Sequence, residues 1–477
     1  MSTGLLQQLA DYGAFHDENQ GYIDVADVFA AGNSVSPSDT SLYAVPRRSN
    51  RFGVWVAVAA VVLTVLLIGV IPLLFSNQET PPADTVVATT LAESAPTTLA
   101  ESTPTTLGEL VLIPGTWSQV PHDEAVFGGE GEQNMFGVTA GGPGLVAVGA
   151  TGGWFGDGDA AVWTSVDGIT WTRVAHDENV FGGANSQTMW DVTVGDFGLV
   201  AVGHDGHGIL DDVPDVDAAI WTSVDGDSWS RVPHDEEVFG GAWITSVTVG
   251  GPGLVAVGGT DGYFTDGDAV VWTSTDGITW SRVPHDETIF GGPQRQTMYD
   301  VVAGGPGLVA VGREGDERPW DNSDDNAAAV WTSVDGITWN RVPHDETVFG
   351  TGGNPVMLSV TAGGPGLVAV GADYWPSERA ETPVWTSPDG FTWTRVPDDE
   401  SFRGSMNGVT AGGSGLVAVG AEGMVWTSAD GITWSRVPND DAVFGSDWVF
   451  RVTFGGPGFV AVGWDGSNAA VWVSEED

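Results

Sequence analysis

The nine-residue stretch WTSVDGITW at residues 163–171 decides the fold, because the chain repeats it in five further places. Its central Asp-Gly pair favours a tight hairpin turn, since glycine accepts the positive φ angle that such a turn needs. The tryptophan at each end predicts a large ring buried beside that turn. The other copies are WTSVDGDSW (221–229), WTSTDGITW (272–280), WTSVDGITW (331–339), WTSPDGFTW (385–393) and WTSADGITW (426–434).

The aspartate of this motif recurs in every copy, which bears on whether it is catalytic. A single active site needs a residue that is special to one unit, whereas an equally repeated residue serves the scaffold. The motif is therefore predicted to fasten a turn, and its aspartates are predicted to be structural. They are Asp167, Asp225, Asp276, Asp335, Asp389 and Asp430.

Each motif belongs to a longer repeat that fills the chain from residue 111 onward. A unit reads VTAGGPGLVAVG, a variable insert, VWTSxDGxTW and then xRVPHDExVFGG. Short apolar runs between GGPG and DG turns predict four β-strands per unit. The closing tryptophans recur at residues 117, 171, 229, 280, 339, 393 and 434. Regular four-strand units at this spacing indicate an all-β fold, a β-propeller.

The two ends of the repeat region predict the number of blades. The last unit stops at residues 471–474, before its fourth strand, and residues 115–120 read as a fourth strand with no unit before it. Pairing these two segments makes seven complete blades and leaves no open sheet edge. The sequence thus predicts a seven-bladed β-propeller whose N-terminal strand completes the last blade.

These repeats resemble the Asp-box (BNR) repeats of the sialidase-like, sortilin-like and photosystem-assembly-factor-like propellers. The resemblance covers residues 111–477 and rests on the SxDGxTW motif. It implies that each box lies on the outer turn between the third and fourth strands, away from the ligand face. It implies no single function, because that superfamily includes glycosidases, receptors and assembly factors.

The composition excludes several classes of function. The formal net charge is −49 at pH 7, from 15 basic and 64 acidic residues, and such a surface repels nucleic acid and anionic lipid. The chain has no cysteine, which excludes disulfides, thiol catalysis and zinc–thiolate sites. We expect no nucleic-acid partner and no organic cofactor, and calcium is the one ion considered.

The N-terminal part predicts a membrane anchor. Residues 53–75 carry no charge, and a helix of that length rises about 34 Å, enough to span a bilayer. Arg47, Arg48 and Arg51 precede it, which predicts that the acidic tail 1–52 is cytoplasmic and the rest extracytoplasmic. A cleaved signal peptide is the alternative. Residues 76–110, rich in Thr, Pro and Glu, read as an extended stalk below the propeller 111–477.

The predicted topology divides the loops between two faces. The GGPG turns and the boxes share one face, and the variable inserts and the crossovers between blades share the other. Loops on a rigid scaffold often carry binding, so the face with the inserts is the predicted ligand face. Its candidate ligand-binding residues are Trp154, Trp320, Trp375, Asp191, Tyr299, Asp300 and Arg451. Carboxylates suited to a hard cation such as calcium are Asp157, Asp159, Asp266 and Asp268.

The crossovers repeat the tripeptide HDE, at 122–124, 176–178, 234–236, 285–287 and 344–346. Alternate side chains of an extended segment point to opposite sides, so three adjacent residues are not expected to converge on one metal ion. The prediction is that the aspartate fixes a turn and the glutamate is solvated. A ring of weak cation sites is the alternative.

Taken together, these features predict a membrane-anchored, extracytoplasmic propeller that binds a protein, glycan or cation. A sialidase-like glycoside hydrolase and a purely structural protein of the cell envelope are the alternatives. The hydrolase chemistry needs three arginines around a substrate carboxylate, a tyrosine activated by a glutamate, and an acidic aspartate. No motif in the sequence assembles such a set, so a non-enzymatic role is predicted.

Overall fold

The computed structural model describes residues 116–152, 158–206, 216–260, 267–315, 326–350, 354–373, 382–397, 402, 404–413, 415–438, 443–445 and 447–474. They form seven four-stranded sheets, each built from antiparallel pairs. The predicted all-β, seven-bladed propeller is therefore confirmed. The first three strands of every blade follow one another along the chain.

The strands take their bounds from the repeat, and blades are numbered 1 to 7 in chain order. The first strands are β2 (Gln133–Gly141), β6 (Gln187–Gly195), β10 (Ala242–Gly250), β14 (Gln296–Gly304), β18 (Pro355–Gly363), β22 (Met406–Gly412) and β26 (Trp448–Gly455). The second strands are β3 (Gly144–Thr151), β7 (Gly198–Gly206), β11 (Gly253–Thr260), β15 (Gly307–Glu314), β19 (Gly366–Asp373), β23 (Gly415–Gly420) and β27 (Gly458–Trp464).

The outer half of each blade is shorter. The third strands are β4 (Ala160–Ser165), β8 (Val216–Ser223), β12 (Ala269–Ser274), β16 (Ala327–Ser333), β20 (Val384–Ser387), β24 (Val425–Ser428) and β28 (Ala469–Ser474). The fourth strands are β5 (Trp171–Arg173), β9 (Trp229–Arg231), β13 (Trp280–Arg282), β17 (Trp339–Arg341), β21 (Thr394–Arg395), β25 (Trp434–Arg436) and β1 (Trp117–Gln119). Three short helical turns, α1 (Glu236–Phe239), α2 (Glu346–Phe349) and the 3-10 turn η1 (Ala421–Gly423), lie in connections.

The first strands contact one another in a closed cycle, from β2 through β6, β10, β14, β18 and β22 to β26 and back to β2. They are therefore the innermost strands of a ring. In blade 7 the outermost strand is β1, which pairs antiparallel with β28. Trp117 lies opposite Ser474, and Gln119 lies opposite Trp472.

The core lies between neighbouring blades. The second strand is apolar along its length and buried on both faces, as in Leu308–Val311 of β15. The first tryptophan of each box is fully buried; Trp331 of blade 4 packs against Val255, Val257 and Val271 of blade 3. Its indole N–H also donates to the carbonyl of Ile289, 2.7 Å away, in the crossover that enters its own blade. Each blade is thus fastened to the previous blade and to the chain that leads into it.

Each innermost strand contains a β-bulge near its start. In β14 the pairing with β15 skips one residue between Met298 and Asp300, so Tyr299 has no partner opposite it. The same shift occurs at the equivalent position of the other six blades. A bulge bends its strand and redirects the neighbouring side chains. The bulge therefore determines which side chains of this strand face the centre of the ring.

The turns of the SxDGxTW motifs, called boxes here, are closed by their own side chains. In blade 4 an oxygen of Asp335 accepts hydrogen bonds from the amides of Ile337 (2.9 Å) and Thr338 (2.6 Å), and the hydroxyl of Ser333 accepts from Gly336 (2.9 Å). Hydrogen bonds from the backbone, that of Thr338 first, hold the pKa of Asp335 below its ordinary value. The other five box aspartates accept the same pair of amide hydrogen bonds.

The boxes lie beside the GGPG turns of the preceding blade. Gly168 adopts a φ of +78°, and a Cβ at this position would lie 2.8 Å from Pro457 of blade 7. A side chain is therefore excluded by both conformation and space. These two sets of turns share one face of the ring, called the box face below, which agrees with the predicted division of the loops.

No helix in the described part of the chain is long and apolar enough to cross a bilayer. The tail 1–52, the predicted membrane segment 53–75 and the predicted stalk 76–110 lie outside the described residues.

Candidate functional site

The inserts and the crossovers come together on the opposite face of the ring, called the insert face below. The amide of Ala160, which begins β4 after the insert of blade 1, donates to the carbonyl of Phe181 in the crossover that follows, at 2.9 Å. The same contact joins Ala269, at the start of the third strand of blade 3, to Phe290 in the crossover from blade 3 to blade 4. Residues that are far apart in the sequence therefore become neighbours here.

The structure describes part of the predicted site. Trp154, Asp157, Asp266, Trp320 and Trp375 lie outside the described residues. The remaining candidates fall into two groups. Asp191, Tyr299, Asp300 and Arg451 lie on innermost strands beside the bulges, and Asp159 and Asp268 lie where the inserts end.

Two of the predicted axial residues, Asp191 and Asp300, meet through Ser246 of the blade between them. The Ser246 hydroxyl lies 2.9 Å from an oxygen of Asp191 and 2.8 Å from an oxygen of Asp300. Asp191 also accepts the amide of Val247 at 3.0 Å, and Asp300 accepts the amide of Val360 at 2.9 Å. These carboxylates therefore connect blades 2, 3, 4 and 5 to one another.

The protons available to Ser246 and its two carboxylate neighbours limit the hydrogen bonds between them. A hydroxyl carries one proton, so Ser246 donates to one carboxylate at a time, and it accepts a hydrogen bond from the other only when that carboxyl is protonated. Burial raises the pKa of Asp191 to about 6, although the charge of Arg451 lowers it; the charge of Asp300 adds to the rise. Below that pH a protonated Asp191 donates to Ser246, which donates to Asp300. Arg451 itself donates to the carbonyl of Asn407 at 2.9 Å.

One buried arginine lies near Tyr299, and another lies near Trp243. The guanidinium of Arg313 lies 5.8 Å from the centre of the Tyr299 ring, and that of Arg295 lies 5.0 Å from the centre of the Trp243 ring. Their side chains are only 2 to 3% exposed. A substrate carboxylate bound from solvent needs accessible guanidinium groups, so this pair does not provide the arginine set of a sialidase.

An aromatic group at the start of the innermost strands was missed by the sequence analysis. Phe136 lies 4.5 Å from Trp190 and 5.3 Å from Phe450 between ring centres, and Phe450 lies 6.3 Å from Trp448. The group, called the axial aromatic cluster, spans blades 7, 1 and 2. Phe136, Trp190 and Phe450 are the residues skipped by the bulges. The sequence offered one signal: this position is aromatic in four units, whereas the other three have Thr245, Leu358 and Asn407.

In the part of the chain that the structure describes, insert ends and crossovers build three similar clusters of one histidine and two carboxylates. In the first, His176 Nε2 lies 3.6 Å from an oxygen of Asp159 and 3.2 Å from an oxygen of Glu178. In all three the ligand atoms lie within 4.8 Å of one another. The clusters are Asp159–His176–Glu178, Asp217–His234–Glu236 and Asp268–His285–Glu287.

As predicted, the three side chains of the HDE tripeptide do not converge on one point. The histidine and the glutamate are two residues apart and point to the same side, and the third group comes from the preceding insert. The middle aspartate does fix a turn, as predicted: Asp177 accepts the amide of Asn179 at 3.0 Å. The glutamate is exposed, but its carboxylate contacts the histidine.

Local structure holds the glutamate in this place. A Cβ on Gly182 would lie 2.6 Å from a carboxylate oxygen of Glu178, so the first glycine of the VFGG segment leaves room for that side chain. His176 in turn packs against Phe181, with ring centres 6.3 Å apart. Burial raises the pKa of Asp159; the nearby His176 lowers it, and Glu178 raises it again.

Comparison with known proteins gives similarity at the level of structure alone. No protein-family model matches the chain, and no curated protein matches it. Among solved structures, YCF48 from Cyanidioschyzon merolae superposes with a TM-score of 0.44 at 15% identity, covering 75% of this chain and 98% of that one. Sqt1 from Chaetomium thermophilum superposes with a TM-score of 0.41 at 12% identity, covering 71% of this chain and 82% of that one.

Proposed function

We propose that the propeller is a non-catalytic binding module whose insert face captures an extracytoplasmic protein or glycan. The observation that carries this proposal is the axial aromatic cluster. Its members occupy positions that differ from blade to blade, whereas the box face repeats itself. Phe136 and Phe450 of this cluster are buried, and Trp448 is 42% exposed and provides its accessible surface. Exposed indole rings on a rigid scaffold are typical of binding hot spots and stack against sugar rings and peptide side chains.

Polar groups surround the aromatic cluster and suit an uncharged or mixed ligand. The partly buried carboxylate of Asp191 directly follows Trp190, and the guanidinium of Arg451 directly follows Phe450. The indole N–H of Trp190 donates to Nδ1 of His204 at 3.0 Å, which fixes the ring. A rigid aromatic surface loses little conformational entropy when a ligand binds.

Capture of material from the native cell envelope tests this function. The full chain with Trp448→Ala is expected to retain ligand about tenfold less than the unaltered chain, because an exposed indole in a binding surface contributes about 1.4 kcal/mol or more. Phe391→Ala is the matched control, since Phe391 is 53% exposed on the box face. Equal retention by both variants would exclude the axial cluster as the binding surface. Hydrolysis of a fluorogenic sialoside by the full chain would instead support the glycosidase alternative.

We also propose that residues 53–75 anchor the chain in the cell membrane, with 1–52 in the cytoplasm and the stalk 76–110 carrying the propeller outside. The charge-free stretch and the three arginines before it support this orientation. Pairing of β1 with β28 supports the further proposal that the strand next to the stalk closes the ring.

Protease treatment of intact cells tests the anchor. We expect added protease to cut in the stalk and release the propeller, while a tag at the N-terminus stays protected and sediments with membranes. Replacing Arg47, Arg48 and Arg51 by glutamate serves as the control, because orientation follows basic residues and this change removes them. A tag found in the soluble fraction of intact cells would contradict the anchor and favour a cleaved leader.

A further inference from the structure

We propose that each of the three Asp–His–Glu clusters on the insert face binds one divalent transition-metal ion of the Zn²⁺ class. The proposal concerns the rim of the insert face and is independent of the ligand captured at the axis. It rests on the convergence of one imidazole and two carboxylates from two separate segments of chain, repeated in three successive crossovers.

The distances suit a small tetrahedral ion. Two ligands bonded to such an ion at about 2.1 Å lie about 3.4 Å from each other. In the third cluster the imidazole nitrogen of His285 lies 3.6 Å from an oxygen of Asp268 and 3.2 Å from an oxygen of Glu287. The second cluster has the same two distances, between His234 and the carboxylates of Asp217 and Glu236. Small shifts of exposed side chains would bring the three atoms onto one ion.

The negative charge of the two carboxylates also favours a bound cation. A Cβ placed on Gly291 would lie 3.0 Å from an oxygen of Asp268 and 2.9 Å from an oxygen of Glu287, so both carboxylates approach one point beside the imidazole. The two negatively charged carboxylates repel each other at such close approach. The whole chain, with a net charge of −49, adds to this repulsion. A divalent cation placed between them neutralises both.

The donor set selects the class of metal. Imidazole nitrogen suits zinc, copper, iron and nickel, whereas calcium takes six to eight oxygen ligands at about 2.3–2.6 Å. One nitrogen and two oxygens provide three ligands and leave a position open for water or for a group from a partner. The structure therefore favours the zinc class over the calcium ion considered from the sequence.

Two further crossovers provide natural comparisons. His122 contacts Glu124 at 3.1 Å, but Asn468 stands where the aspartate of blades 1 to 3 stands, four residues before the buried tryptophan of the third strand. His344 contacts two glutamates through different ring nitrogens, Glu314 at Nδ1 and Glu346 at Nε2, so these carboxylates do not converge on one side of the ring. Glu314 also pairs with Arg341. Neither crossover is expected to hold an ion.

Counting bound Zn²⁺ tests the proposal. The full chain, purified in detergent, is dialysed against Zn²⁺ with excess Ca²⁺ and about 0.3 M NaCl, which screens diffuse attraction to the net charge. We expect three bound Zn²⁺ ions, two after His176→Gln, and none after His176→Gln, His234→Gln and His285→Gln are combined. A neutral histidine and glutamine carry the same charge, so any loss reports the imidazole ligand and not the net charge.

The natural comparisons supply the controls. His122→Gln and His344→Gln should leave the count at three, and Asn468→Asp should raise it to four by completing the cluster around His122. Three ions retained by the triple variant would overturn the proposal. An equal loss on His122→Gln and on His176→Gln would also overturn it, because binding would then require only the histidine–glutamate pair.

Discussion

Replacement of Trp331 by alanine is expected to lower the free energy of unfolding by about 3–5 kcal/mol, the range for deleting a large aromatic side chain from a core. The ring is fully buried and packs against the strands of the preceding blade. Its loss also leaves the carbonyl of Ile289 without the indole N–H that lies 2.7 Å away. The guanidinium of Arg341, 5.6 Å from the ring centre, loses its aromatic contact.

Chemical denaturation followed by circular dichroism measures this loss. Trp331→Phe is the graded control: it keeps much of the apolar volume but removes the hydrogen bond, so its effect should be clearly smaller. Trp448→Ala is the matched control for an exposed tryptophan and should change stability little. A loss below about 1 kcal/mol for Trp331→Ala would contradict the role assigned to the box tryptophan.

Removal of β1 is expected to have the second-largest effect, lowering the stability of the propeller and promoting its self-association. A chain that starts at His122 lacks Trp117, which is 6% exposed and lies 5.9 Å from Phe444 between ring centres. Burial of about 200 Å² of a tryptophan contributes about 5 kcal/mol at ~25 cal/mol per Å². The truncation also exposes the backbone of β28 as a sheet edge, and exposed edges promote association between chains. Lower stability and self-association are both expected relative to residues 111–477.

A peptide added in trans separates closure of the ring from general damage. A synthetic peptide of residues 111–121 should restore the thermal stability and the monomeric state of the truncated chain, because it supplies the missing strand. The same peptide with Trp117→Ala should restore little. Thermal denaturation and light scattering measure both effects. A truncated chain that is as stable and as monomeric as residues 111–477 would show that β1 is dispensable.

Features that depend on neighbours in the sequence were predictable. The SxDGxTW motif contains its own turn, its own capping serine and its own buried indole, so its fold could be predicted from the nine residues alone. A core position three residues before the strand valine also recurs in every unit of the repeat. Met135, Met189, Ile244, Met298, Met357, Met406 and Val449 are all fully buried.

The site was predictable only in part, because its residues meet across separate strands. The position of Asp191 near the axis followed from the repeat, but its contact with Ser246, 55 residues further along the chain, did not. The axial aromatic cluster was missed because a bulge shifts the register by one residue, and such a shift changes the face to which side chains point. The aspartate of each histidine cluster comes from a different segment of chain than the histidine and the glutamate.

The sequence by itself determined the class of fold, the number of blades and the structural role of the boxes. Local turn chemistry and a repeated pattern of apolar residues carry that information, and neither requires knowledge of what lies across the ring. Only the tertiary structure decided which side chains on the insert face converge: Phe136 with Phe450, and Asp159 with His176 and Glu178. Convergence depends on strand register, bulges and the closing of the ring, which bring together residues that no local pattern connects.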